Sequence, residues 1–205
     1  MTIRKARRSD FRAMAEVSAA AFMNEELHGE LMHPYRKEYP EDFILFFERK
    51  LLSHWYDPKH HFLVGLDKLS GKVIAVAMWE RQGASTDSFT SWSNYLNYTT
   101  HPDFQGQGIG KELVKWGIDE ADKENVCASV ISSDGNEGFY GQSGFIEVGR
   151  ANVGRLKENG IKGGAIMFRD TDKSRSTIAA AIDHNNSGAF TPSDESHLMD
   201  APQCA

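Results

Sequence analysis

Cysteine is nearly absent. Among 205 residues Cys127 and Cys204 are the only cysteines, too few for a disulfide framework or a cysteine-rich zinc site. No stretch approaches the ~18 consecutive apolar residues of a membrane-spanning helix. The basic opening MTIRKARRSDFR leads into no apolar segment of the kind a secretory leader carries. Basic charge is in deficit as well: 23 Lys and Arg against 29 Asp and Glu give a formal charge of -6, the reverse of the balance that nonspecific phosphate binding favours. The triphosphatase motif G-x-x-x-x-G-K-[ST] is missing, and so is G-x-G-x-x-G at a strand-to-helix turn. His184 and His197 have no third ligand at a recognisable spacing, so no metal is expected. These absences point to a cytoplasmic protein without a nucleic-acid or membrane partner.

What remains is enough for a core. Hydrophobic residues make up 40% and charged residues 25% of the chain, which suits one globular domain. Composition shifts near Asp170. The last 36 residues hold six acidic and two basic side chains, many turn formers and little apolar period. The expectation is a domain over 1–169 and an acidic, flexible extension over 170–205, with a short helix over Ser176–Ile182 left open.

The domain alternates strands and helices. A strand over Thr2–Ala6 precedes Ser9 and Asp10, which are placed to cap a helix carrying Met14, Val17, Ser18, Ala21 and Phe22 on one side. Asn24–Tyr39 is irregular. Pro40 opens a second helix through Phe43, Phe46, Phe47, Leu51 and Leu52. His60–Leu66 and Val73–Glu80 read as a hairpin around Gly71, with a polar loop over Gln82–Ser91. Trp92–Thr100 reads as one long strand. A helix through Leu113, Val114, Trp116, Gly117 and Ile118 follows, then a Cys127–Ile131 strand, a short helix over Asn136–Gln142, a Phe145–Val148 strand and a closing Ala165–Phe168 strand. The order is that of a layered α/β sheet flanked by helices.

The segment His101-Pro-Asp-Phe-Gln105-Gly106-Gln107-Gly108-Ile109-Gly110-Lys111 joins a strand to a long helix. Glycines there permit a tight turn, and the free N–H groups of the helix start attract an anion such as a diphosphate. A purely structural turn reads the same glycines equally well. Lys111 either adds positive charge or faces solvent.

The pieces together resemble the GCN5-related N-acetyltransferase (GNAT) family. Its acyl-coenzyme A signature, Gln/Arg-x-x-Gly-x-Gly/Ala, is similar to Gln105-Gly-Gln-Gly108-Ile-Gly110. YLNYTTHPDF looks like the family's fourth strand and its exit, and Asn136-Glu-Gly-Phe-Tyr140-Gly-Gln-Ser-Gly144-Phe145 like its cofactor-side helix and next strand. The resemblance spans Thr2–Phe168 and is strong over Tyr95–Val148. It implies the acyl-CoA N-acyltransferase fold, a mixed sheet splayed near its middle with acetyl-CoA in the opening. Amides of Gln105, Gly106, Gln107, Gly108, Ile109 and Gly110 would cradle the pyrophosphate, and the backbone of Tyr98, Thr99 and Thr100 would pair with the pantetheine arm. The activity it implies is direct acetyl transfer to an amine. A small-molecule primary amine is the lead acceptor, with a protein N-acetyltransferase or a noncatalytic acyl-CoA-binding module as alternatives. A homodimer is left open.

Tyr140 matches the family tyrosine beside the coenzyme A sulfur, where it would protonate the departing thiolate; the bland alternative is a core tyrosine. Asn136 either lies beside the pantetheine arm or caps the short helix, and Ser133 is a similar cap. Glu80 ends a central strand where relatives often present a general base, and otherwise is a surface charge. His101 reads as a turn residue that could reach the cleft. Glu25, Glu26 and His28 fall where the family builds its acceptor segment. Asn97 and Tyr98 occupy the cleft-side strand without the family's carboxylate. Cys127 reads as packing. Trp55, Tyr56, Trp79 and Trp92 read as end packing or as an acceptor lining.

Overall fold

A computed structural model of the chain describes residues 2–82, 91–94 and 98–169, with the backbone alone at 91–94 and 98. The acidic extension, Asn97 and the Trp92 side chain lie outside that description. Among the described residues eight strands form one sheet: β1 (Thr2–Lys5), β2 (His60–Leu66), β3 (Val73–Gln82), β4 (Ser91–Asn94), β5 (Tyr98–Thr100), β6 (Cys127–Ser132), β7 (Ile146–Arg150) and β8 (Ala165–Arg169). Their order is β1-β2-β3-β4-β6-β8-β7, with β5 pairing β3 beyond β4. Every pairing is antiparallel except β4 with β6. This is the splayed, helix-flanked sheet of the acyl-CoA N-acyltransferase fold.

Strand alternation divides the core in two. Phe62, Val64, Val76 and Met78 face α1 (Phe11–Phe22) and α2 (Pro40–Trp55). Leu63, Ala75, Ala77 and Trp79 face α3 (Ile109–Glu124). Trp79 is fully buried, and its indole N–H donates to the Leu113 carbonyl at 3.4 Å. A methyl group on Gly117 would lie 2.0 Å from that indole, so glycine is what lets α3 approach β3 here.

Several expectations change in detail. Asp10 does not cap α1 by side chain; it closes a capping box on the short turn Arg8–Asp10 before it. Its carboxylate instead takes two hydrogen bonds from Arg4, at 2.6 and 2.9 Å, and one from the Arg7 N–H at 2.7 Å, fastening β1 to the start of α1. Phe43 and Phe47 are buried as the helical period implies, while Phe46 is only partly covered. The last strand does not close an edge: β8 inserts between β6 and β7, leaving β7 outermost. Trp55 packs edge-on to Phe11 at 4.6 Å, whereas Tyr56 is exposed and accepts from Arg8. Among the described residues no helix is long and apolar enough to cross a membrane.

Of the expected strand over Trp92–Thr100, β4 and β5 are described, and residues 95–97 lie outside the description. β4 pairs Glu80 with Ser93, and β5 pairs Ala77 with Tyr98. Only Met78 and Trp79 lie between those partners on β3, while four residues, 94 to 97, lie between them in the facing sequence. The excess of two shifts the ladder register, as a bulge does, and re-aims the chain that follows.

Candidate functional site

The register shift opens the sheet. β4 runs parallel to β6 as far as the pair Asn94 and Val130. Beyond it β5 pairs β3 alone, and its outer edge has no ladder partner among the described residues. On the other side β6 ends at Ser132, and the chain turns through Ser133–Asn136 into α4 (Glu137–Gly141). The result is a wedge with the backbone of Tyr98–Thr100 along one wall. The Thr99 side chain points away from it, buried on α1, with its hydroxyl 3.5 Å from that of Ser18. Thr99 can therefore serve the wedge only through its backbone.

The wedge leads to the glycine turn. His101 Nδ1 accepts from the Asp103 N–H at 3.3 Å, so His101 caps the short turn Pro102–Phe104. Gln105 Nε2 donates to the Thr100 carbonyl at 3.4 Å and ties the turn to the strand end. Gly106 and Gly108 hold φ of +74° and +85°, which only glycine adopts without strain, and the space beside each is open. No side chain caps α3. Among the described residues the N–H groups of Gly106, Gln107, Gly108 and Ile109 meet no protein acceptor. Four unpaired donors at the positive end of a 16-residue helix suit a diphosphate. Lys111 is exposed beside them.

Tyr140 approaches from α4. A methyl on Gly110 would come within 3.3 Å of the Phe139 ring, so α4 abuts the first turn of α3. The backbone carbonyl of Asn136 accepts from the N–H groups of Phe139 and Tyr140, but its exposed side chain caps nothing, which removes that alternative for Asn136. Ser133 likewise contributes its carbonyl, to the Asn136 N–H. The Tyr140 ring is 7% exposed and meets Phe139 and Phe145 edge-on. Burial raises its phenol pKa well above the ordinary value, so the hydroxyl keeps its proton.

The opposite face carries the other titratable groups. Alternation puts Glu80 there with Val76 and Met78, so the structure does not bring Glu80 and Tyr140 onto one face. Glu80 is 30% exposed, and its Oε2 lies 3.9 Å from His60 Nε2. Glu25 accepts from the His28 N–H at 2.7 Å and caps the single wide turn Glu26–Leu31. Burial pushes the Glu25 carboxyl up, but the contacts from His28 prevail and leave it below the usual range. His28 Nε2 lies 3.4 Å from Lys50 Nζ, whose pKa burial lowers to about 8 against the pull of Glu25. Glu26 reaches across the molecule: its Oε2 accepts from the N–H groups of Lys162 at 2.6 Å and Gly163 at 3.2 Å, in the turn before β8. Buried Arg36 fastens this segment by donating to the carbonyls of Met23 and His33.

Sequence reading missed Lys50, His54 and His60. The i,i+4 spacing of Lys50 and His54 on α2 is a weak signal for the first two. His60 carries none, because only strand pairing sets it opposite Glu80. Cys127 is fully buried with Val148 and Phe168. No group of three or more His, Cys, Asp or Glu among the described residues could hold a metal ion.

A splayed sheet, an uncapped glycine turn and a buried tyrosine behind it define an acyl-CoA-binding fold. The family model "Acetyltransferase (GNAT) family" matches residues 21–145, and the chain belongs to that family. Solved structures agree on the fold. One, described as "histone acetyltransferase HPA2 and related acetyltransferase" from Corynebacterium glutamicum, is 19% identical, covers 83% of this chain and 96% of its own, and superposes with a TM-score of 0.62. The PaiA N-acetyltransferase of Thermoplasma acidophilum, solved with coenzyme A, is 17% identical with a TM-score of 0.57, over 82% of this chain and 98% of that one. A Trypanosoma brucei acetyltransferase is 17% identical with a TM-score of 0.51, over 71% and 92%. No curated protein sequence matches the chain.

Proposed function

We propose that the chain transfers an acetyl group from acetyl-CoA directly to the primary amine of a small molecule. The observation that carries this reading is the unpartnered edge of β5 running into a turn whose Gly106–Ile109 amides are unpaired. Acetyl-CoA supplies an activated thioester and a diphosphate that fits those donors. The backbone of Tyr98–Thr100 orients the pantetheine arm, and the amides of Gly106–Ile109, with Lys111 beside them, bind the pyrophosphate; the expected Gln105 amide is taken, since it donates to the Pro102 carbonyl at 3.3 Å. Asn136, exposed at the start of α4, faces the same arm. Tyr140, protonated through burial, donates a hydrogen bond to the leaving sulfur. Glu80, on the other face, takes the proton the amine sheds, directly or through one water. Holding both reactants in the wedge supplies much of the rate by proximity.

A small acceptor is favoured over a protein segment by the Glu26 bridge. Its hydrogen bonds to Lys162 and Gly163 join the α1–α2 segment to the turn before β8. An extended peptide lying across that face would have to break them. The test is acetyl-CoA consumption over a panel of small amines and lysine peptides, with mass spectrometry of each product. Faster acetylation of peptides than of every small amine would refute the acceptor class, and no coenzyme A affinity would refute the reading whole.

A further inference from the structure

His60 stands directly across the β2–β3 ladder from Glu80. Its side chain is only 5% exposed, yet its Nδ1 is buried without a hydrogen-bond partner. Buried polar atoms are nearly always satisfied, so this one requires a reason. Asp57 Oδ2 comes within 3.3 Å of Nδ1 but lacks the direction of a hydrogen bond, and Glu80 Oε2 lies 3.9 Å from Nε2. The imidazole thus has a carboxylate at each nitrogen. A neutral imidazole has one N–H; the protonated ring has one for each carboxylate. The other charged groups nearby oppose that state. They are His54, stacked on His60 at 4.6 Å, Lys50 one turn earlier on α2, and Lys59, the residue before His60. Burial lowers the His54 pKa, with the charge of His60 adding to the effect. His61 lies on the other sheet face against Trp116 at 5.7 Å.

We propose that His60 is the positioning residue of Glu80: the imidazole, lying between Asp57 and Glu80, keeps the Glu80 carboxylate placed for the acceptor amine. This rests on the reading of Glu80 as the base. During transfer the nitrogen–acyl bond forms, the thioester C–S bond breaks, the amine proton passes to Glu80, and the sulfur is protonated from the Tyr140 side or by solvent. Glu80 then returns its proton to water through its exposed part. Asp57 is 43% exposed and lies at the outer nitrogen of the imidazole, away from Glu80.

Two measurements test this. Imidazole NMR on the full chain, with no ligand added, follows His60 in wild type and in Glu80→Gln. Removing the carboxylate beside Nε2 should move the His60 ring resonances at a fixed pH; unmoved resonances overturn the proposal. Kinetics with acetyl-CoA and the fastest amine of the panel follow His60→Gln. Without the imidazole Glu80 is held less firmly, so kcat should fall by roughly 3- to 10-fold while the KM for acetyl-CoA and coenzyme A affinity stay. An unchanged kcat overturns the proposal, and if His60→Gln fails to fold, the Glu80→Gln spectra decide alone. Full turnover in Glu80→Gln would remove Glu80 as the base; lost turnover there with an unchanged His60→Gln kcat removes only His60.

Discussion

Replacing Tyr140 by phenylalanine separates packing from chemistry. The ring meets Phe139 at 5.1 Å and Phe145 at 5.9 Å, and phenylalanine keeps both contacts. Only the hydroxyl is lost. A cysteine-like thiol has a pKa of about 8.5 and an ordinary phenol about 10, and burial lifts Tyr140 further. Complete proton transfer to the leaving thiolate is therefore uphill at the site. What the hydroxyl can offer is a hydrogen bond that strengthens as charge grows on sulfur. A hydrogen bond to a charged group contributes about 1.5–3 kcal/mol, which corresponds to a loss of roughly 10- to 150-fold in the chemical step. Single-turnover kinetics at saturating acetyl-CoA measure that step without product release, and calorimetry measures coenzyme A affinity beside it. Affinity should hardly change. A folded Tyr140→Phe protein with an unaltered single-turnover rate would refute the argument, and protonation of the sulfur would then fall to solvent.

Gly108→Asp places a side chain and a negative charge at φ +85°, beside the unpaired amides, and should weaken coenzyme A binding by at least about 1–3 kcal/mol in calorimetry. Retained affinity in a folded protein would move the diphosphate elsewhere. Gly117→Ala puts a methyl 2.0 Å from the Trp79 indole, and denaturant titration should show a loss of about 1–3 kcal/mol from overpacking. Lys50→Met should stabilise the fold near neutral pH by up to about 3 kcal/mol, because burial has lowered the lysine pKa from 10.5 to about 8. The unfolded chain binds more protons between those values, so wild-type stability rises with pH from about 8 to 10.5 and the advantage of methionine shrinks across that window; thermal melts over this range check the sign.

The amino-acid sequence by itself determined the parts that depend on local backbone chemistry. Gln105–Gly110 was legible because its turn needs positive φ, which only glycine supplies cheaply, and Gly106 and Gly108 do adopt it. The segment bearing Tyr140 was legible through its resemblance to the family's cofactor-side helix, and the hairpin of β2 and β3 because alternation and Gly71 mark it. Only the tertiary structure decided the rest. The wedge follows from two surplus residues between β4 and β5, and a register shift is visible only against the partner strand. The insertion of β8 between β6 and β7 is a choice of partners that period-two alternation does not encode. Glu26 looked like an acidic loop residue until folding set it against amides 136 positions away. Glu80, His60 and Lys50 owe their character to the charges and burial around them. Those surroundings come from distant chain segments, because Coulomb forces and desolvation depend on distance through space rather than along the chain.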